Sequence, residues 1–186
     1  MTRLPLVSPE TTEDPILASI FGEIHKRGLD VPNLYQTLAN APQMLKAWVG
    51  FTWPLRHQAA TPRLLRELAI MRVSQIAQAP YPWSHHWPMA VEAGLSDGQL
   101  AHMDATERAN WFDDVQRATL GYTDEVVAGD VGAGTMAEAD RFFSPAEIVE
   151  LTLATTFYLN LACFSKALQI PLEPEYEQYA ERLPVV

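Results

Sequence analysis

Apolar positions recur along this chain with helical rather than strand spacing. From Pro62 to about Gln78, the residues Leu64, Leu65, Leu68, Ala69, Ile70, Met71, Val73, Ile76 and Ala77 cover most of a helix circumference, interrupted by Arg66, Arg72 and Gln75. Such a helix is expected to be buried on most sides. Glu67, Ser74 and Gln78 fall within about 20° of one line along it, so one polar stripe emerges from an otherwise core-forming element. A carboxylate in that setting needs a partner or a wet cavity. The segment AQAPYP ends the helix, because Pro80 and Pro82 disfavour α geometry in the residues before them. Pro82 is placed to open the next helix and Gly94 to stop it. On that second helix Trp83, His86 and Ala90 share a face, while His85 points about 100° away. Pro88 withholds the hydrogen bond to the Ser84 carbonyl and allows local distortion.

The remaining punctuation is also helical. Asp14 with Pro15 opens a helix that Gly28 closes, and Pro42 opens another. Capping boxes at Ser96 with Gln99, at Asp104 with Glu107 and at Ser144 with Glu147 predict helix starts near 97, 105 and 145. GDVGAGTM, residues 129 to 136, reads as a loop and lacks the Gly-Lys-Ser/Thr of a phosphate loop. Strand alternation and fixed-period repeats are not evident in the sequence, so an all-α single domain is the economical fold. The expected divisions are an extended arm over 1 to 13, a helical domain over 14 to 172 and a tail over 173 to 186.

Composition narrows the partners. With 186 residues and 48% hydrophobic content, the chain can bury a core of one domain. A formal charge of -10 opposes binding to phosphate backbones and anionic membranes, so neither nucleic acid nor membrane is an expected partner. The apolar stretch over 151 to 164 is shorter than the roughly 20 residues a bilayer requires and contains Asn160; it reads as a core helix. The N-terminus lacks a signal-peptide pattern, and the one cysteine, Cys163, excludes an internal disulfide, which points to a reducing cytosol. Cys163 sits in the most apolar helix and is expected to be packing. A metal site is not expected: adjacent helical histidines diverge, no His-Glu-x-x-His occurs, and His25, His57 and His102 have no ligand-like neighbours.

One order of residues resembles a known family. Glu67 is followed after twelve positions by Ala79, after three more by Pro82, and after four more by His86. This is similar to the core of the carboxymuconolactone decarboxylase and alkylhydroperoxidase D superfamily, in which Glu, Cys, Cys and His occupy these spacings. Here Ala79-Pro80-Tyr81-Pro82 stands in place of the redox Cys-x-x-Cys, and Tyr81-x-Trp83-x-x-His86 resembles the Tyr-Glu-Trp-x-x-His of the decarboxylase-like branch, with Pro82 replacing Glu. The flanking segments PNLYQTLANAPQMLKAW and IVELTLATTFYLNLACFSKALQI extend the resemblance over most of residues 14 to 172. It implies an alkylhydroperoxidase D-like helical bundle, no cofactor, and a homo-oligomer of trimeric or hexameric order. Trp48, Phe51, Trp53 and the apolar C-terminal helix are candidate interface material.

The chemistry expected on that reading is acid-base catalysis. Glu67 would orient His86 and raise its basicity, and His86 would move a proton on a small organic acid or lactone, by decarboxylation or enolisation. Tyr81 and Trp83 could bracket a planar substrate or be core packing; Ser74 and Gln78 lie on the Glu67 stripe; Arg72 could clamp a carboxylate or serve a structural ion pair; His85 is a secondary candidate. In the structural alternative, Glu67 pairs with Arg63 one turn earlier and His86 is a satisfied core histidine. A second class of reading is a binding or assembly protein that retained the scaffold, favoured by Pro82. Alkylhydroperoxidase activity is disfavoured because Ala79 and Pro82 cannot form a thiol pair.

Overall fold

The computed structural model describes residues 2 to 185; Met1 and Val186, the ends of the expected arm and tail, lie outside the described residues. Among the described residues every regular element is helical. The order is α1 (Pro15–His25), α2 (Asn33–Leu38), α3 (Pro42–His57), α4 (Arg63–Ile76), α5 (Pro80–Glu92), α6 (Asp97–Ala101), α7 (Arg108–Trp111), α8 (Asp114–Ala128), α9 (Ala133–Ala139) and α10 (Pro145–Leu168), followed by a 3-10 turn (Pro174–Tyr176) and α11 (Glu177–Ala180).

Helix α4 is the axis of the bundle. Leu65 and every residue from Glu67 to Gln75 are buried. The reason is its all-round apolar sequence: Ile70 and Val73 enter a core with α1 to α3 and α10, Leu68 and Met71 one with α5 and α6, and Leu65 and Ala69 one with α8 to α10. Each fully buried Leu, Ile, Met or Val contributes on the order of 1.5–3 kcal/mol relative to exposure, so α4 is held by contacts on all sides rather than by its own propensity.

The hairpin from α4 to α5 forms as the prolines dictate, with one difference. Gln78 adopts a left-handed conformation (φ 46°) and Ala79 is extended, and α5 begins at Pro80 rather than Pro82. Both prolines fit because the first backbone N–H groups of a helix have no intrahelical acceptor. Gly94 closes α5 at φ 112°. Two capping boxes form as expected, at Ser96 with Gln99 and at Ser144 with Glu147. The box expected at Asp104 does not form, because the Asp104 carboxylate accepts a hydrogen bond from Arg72 Nη1 at 2.9 Å instead, and α7 starts only at Arg108. The expected loop over 129 to 136 is shorter than predicted: Gly129 ends α8 and α9 is under way by Ala133, while Glu125 accepts from Gly132 N–H and Thr135.

Helix α10 runs for 24 residues, ten beyond the apolar stretch read from the sequence. It is long and apolar enough to cross a membrane by length and composition, yet half of its most apolar window is buried, against α4, α8, α5 and α3. Its core stripe runs through Ile148, Leu151, Thr155, Tyr158, Ala162 and Ser165. Cys163 lies off that stripe and is exposed, correcting its expected role as packing. Residues 173 to 185 fold back over α5: Trp83 donates from Nε1 to the Tyr179 carbonyl (3.0 Å), Gln78 from Nε2 to the Pro184 carbonyl (2.9 Å), and Arg182 covers the Trp87 ring.

Candidate active site

The α4–α5 hairpin brings Glu67 and His86 into direct contact. His86 Nδ1 lies 2.8 Å from Glu67 Oε2, and both side chains are buried. Tyr158 of α10 meets the imidazole edge-on at 4.7 Å between ring centres, which fixes its plane. His86 Nε2 has no partner among the described residues and is not sealed from solvent. The His86 side chain lines a cavity of about 540 Å³ together with Glu67, Ile70, Met89 and Ala154.

The same cavity collects cations. Four of the chain's ten arginines, Arg27, Arg56, Arg63 and Arg66, line it. Arg63 is spoken for in part, with Nη2 2.8 Å from Glu92 and Nε 3.9 Å from Glu67. The other three have no carboxylate within 4 Å among the described residues. Arg56 reaches the Tyr158 hydroxyl at 3.5 Å, Arg27 lies over the Trp53 ring, and Arg66 donates to the Leu55 carbonyl. The loop entering α4 is pinned beside them by Glu150, which accepts from the Ala60 and Thr61 N–H groups and the Thr61 hydroxyl.

These surroundings set the protonation of the pair. Burial pushes the Glu67 carboxyl up, but the hydrogen bond and charge of His86, with Arg63 and Arg56, outweigh it and hold the group below its ordinary range. Burial pushes His86 below its ordinary value more strongly than Glu67 raises it, and Arg56 adds to the depression. At neutral pH the pair is therefore a carboxylate accepting Nδ1–H from a neutral imidazole, which leaves a lone pair on Nε2. The burial of Tyr158 raises its pKa, so it remains a neutral phenol.

Comparison with known proteins finds a family likeness that spans this hairpin. The model of the carboxymuconolactone decarboxylase family matches residues 42–125, from the start of α3 to near the end of α8. Over those residues the chain is similar to the carboxymuconolactone decarboxylase family. Solved structures match in fold along nearly the whole chain. A peroxidase-related protein from Silicibacter sp. TM1040 is 19% identical, with a TM-score of 0.80 over 96% of this chain and 95% of its own. A second, from Ralstonia eutropha JMP134 and described as an alkylhydroperoxidase AhpD core, is 19% identical, with a TM-score of 0.78 over 98% and 97%. A variant of the debrominase Bmp8 in complex with 2,3,4-tribromopyrrole is also 19% identical, with a TM-score of 0.78 over 99% and 100%. These likenesses establish the alkylhydroperoxidase D-like fold. No curated protein matches the chain in sequence.

Around this hairpin, the other sequence-predicted site residues separate. Tyr81 and His85 line a second cavity, of about 400 Å³, which shares Arg56, His86 and Met89 with the first. His85 is thus at a cavity despite diverging from His86, because the C-terminal segment builds a wall there: Glu173 Oε2 lies 2.7 Å from His85 Nε2, and Tyr176 stacks on the ring at 4.0 Å. Trp83 does not line either cavity; it is fully buried against Trp87. Ser74 is turned inward and donates to the Ile70 carbonyl, and Gln78, beyond the last turn of α4, is held by backbone carbonyls. Arg72 faces away from the cavity into a closed ion-pair network with Asp124, Asp104 and Arg108. The arginine cluster was missed by sequence reasoning, although Arg63 and Arg66 flank Glu67 within one turn and were the available signal.

Proposed function

We propose that the protein is an acid-base enzyme acting on a small organic acid or lactone, with His86 Nε2 as the proton-transferring atom and Glu67 as its positioning residue. The observation that carries this reading is the unpartnered Nε2 of a neutral, carboxylate-anchored imidazole facing a cavity lined by four arginines. The arginines supply two functions that such a substrate requires. They concentrate an anion in a protein of net charge -10, and they stabilise the negative charge that develops when a proton leaves carbon.

The resting protonation state selects among reactions. Nε2 is a base before it is an acid, so it takes the proton from a carbon next to a carbonyl. The C–H electron pair moves into the carbonyl as an enolate held by a guanidinium, and the imidazolium formed returns the proton to another carbon or oxygen of the same molecule. Enolisation and lactone isomerisation balance this way without an added reactant. Decarboxylation breaks a C–C bond first and needs a proton donor in its second half; that donor is imidazolium only after protonation from solvent. Thiol-based peroxide reduction has no support, since Ala79 and Pro82 carry no thiol and Cys163 lies on the exposed face of α10.

The test is turnover of a panel of small lactones and keto acids followed by mass spectrometry. His86→Ala and Glu67→Gln should each lose at least about a hundredfold, the usual scale of general acid-base catalysis. Unchanged turnover in both variants contradicts the assignment. A binding protein on the same scaffold, the reading favoured by Pro82, would show ligand-induced stabilisation with no product from the unaltered chain.

A further inference from the structure

The two cavities that meet at His86 carry opposite charge. The first has four arginines against one carboxylate, Glu67. The second has one arginine, Arg56, against three carboxylates, Asp30, Glu173 and Glu175. Arg56, His86 and Met89 belong to both walls, so the change of sign occurs where the His86 side chain stands. Glu173 is engaged, accepting from His85 Nε2, from the Tyr81 hydroxyl at 3.0 Å and from Asn33 N–H at 2.6 Å. The hydrogen bond and charge of His85, with the Asn33 N–H, outweigh its burial and hold its pKa below the ordinary range. Asp30 and Glu175 are exposed at the rim with no cation paired to them among the described residues. Tyr35 and Tyr176 complete the wall with aromatic surface. Acidic residues alone would not define a site. The second observation is His86, only 4% exposed, which lines both cavities and whose Nε2 has no hydrogen-bond partner among the described residues.

We infer that the cavities are two halves of one site for a bipolar ligand, a planar organic molecule with a carboxylate at one end and a cationic amine at the other. The carboxylate lies among the guanidinium groups of the first cavity, where bidentate hydrogen bonds are available. The ammonium lies toward Asp30, Glu175 and the tyrosine faces of the second, where carboxylates and aromatic rings both attract a cation. The carbon skeleton then passes His86. A dianion would meet three carboxylates at its far end, and a simple amine would meet four arginines at its near end. The opposed fields therefore select against both. This narrows the substrate class of the acid-base reading and rests on that reading for its chemistry, but the arrangement is testable by binding alone.

The probes are benzoate, benzylamine and 4-(aminomethyl)benzoate, titrated calorimetrically into the full chain at low salt. The bipolar probe is expected to bind about tenfold tighter than benzoate, with benzylamine weakest; tenfold corresponds to about 1.4 kcal/mol. The rim variant Asp30→Asn/Glu175→Gln should remove most of that advantage and leave benzoate unchanged, whereas Arg56→Gln should weaken benzoate and the bipolar probe alike. Equal affinity for benzoate and 4-(aminomethyl)benzoate, or a rim variant that weakens benzoate as much as the bipolar probe, overturns the inference. So does failure of the bipolar probe to bind. Retained turnover in His86→Ala would instead contradict the acid-base reading and leave the binding result standing.

Discussion

Helix α4 carries two buried charges five positions apart, Glu67 and Arg72, each only 7% exposed, and the structure treats them in opposite ways. Arg72 is tied to two carboxylates: Nε donates to Asp124 at 2.7 Å, and Nη1 to Asp104 at 2.9 Å and to Gln75 at 2.7 Å, while Arg108 closes the network from the other side of Asp124. Glu67 is left open. It has one hydrogen-bond partner, His86, and its second oxygen approaches only Arg63, at 3.9 Å. A buried charge bonded to two fixed carboxylates directs its field onto them and holds helices together. One with unfilled capacity beside a cavity keeps part of its field for whatever enters. That contrast distinguishes a structural site from a candidate chemical one on the same helix.

Exchanging each residue in turn sharpens the contrast. The largest effect falls on turnover, where Glu67→Gln and His86→Ala should lose at least about a hundredfold while urea unfolding of Glu67→Gln moves by less than about 1 kcal/mol. Arg72→Met should behave in reverse. It orphans Asp104 and part of Asp124, and its expected cost is about 2–3 kcal/mol in urea unfolding, below the range for a sealed pair because Asp104 is nearly half exposed and Arg108 still holds Asp124. Benzoate binding should be unaffected by it. Arg56→Gln should weaken benzoate by about tenfold, the scale of one charge-assisted hydrogen bond, with unfolding unchanged.

The smallest effect is on pH dependence. His86 has a folded pKa below its unfolded value, so its contribution to stability is present above about pH 6.5 and is lost as pH falls from there through the folded pKa. Glu67, also depressed, contributes above its unfolded pKa and is lost as pH falls through the lower folded value. Both make the acid side the weak side. In His86→Gln the part of the acid destabilisation that begins near pH 6.5 should be absent, as measured by unfolding at stepped pH.

The sequence made the frame of this contrast readable for a physical reason. Strong helix periodicity, prolines at helix starts and reciprocal Ser-x-x-Glu or Gln caps are local signals, and they located α3, α4, α6 and α10. The Glu67–His86 pair was legible because both residues belong to adjacent helices joined by a short turn. What remained hidden depends on distant chain. His85 gains its cavity from Glu173, 88 positions away, and Arg27 and Arg56 reach the Glu67 cavity from the end of α1 and from α3. Of the two roles open to Arg72, the ion pair holds and the carboxylate clamp does not, because a helical angle specifies direction but not what waits there. Its direction leads to Asp124 of α8.

The most direct test of the account is the tautomer of His86, read by nitrogen-15 NMR of the imidazole at neutral pH. The structure predicts a neutral ring with its proton on Nδ1, hydrogen-bonded to Glu67, and a bare Nε2 whose resonance shifts when benzoate occupies the cavity. An imidazolium, or a proton on Nε2 with Nδ1 bare, would contradict the assignment of Nε2 as the base.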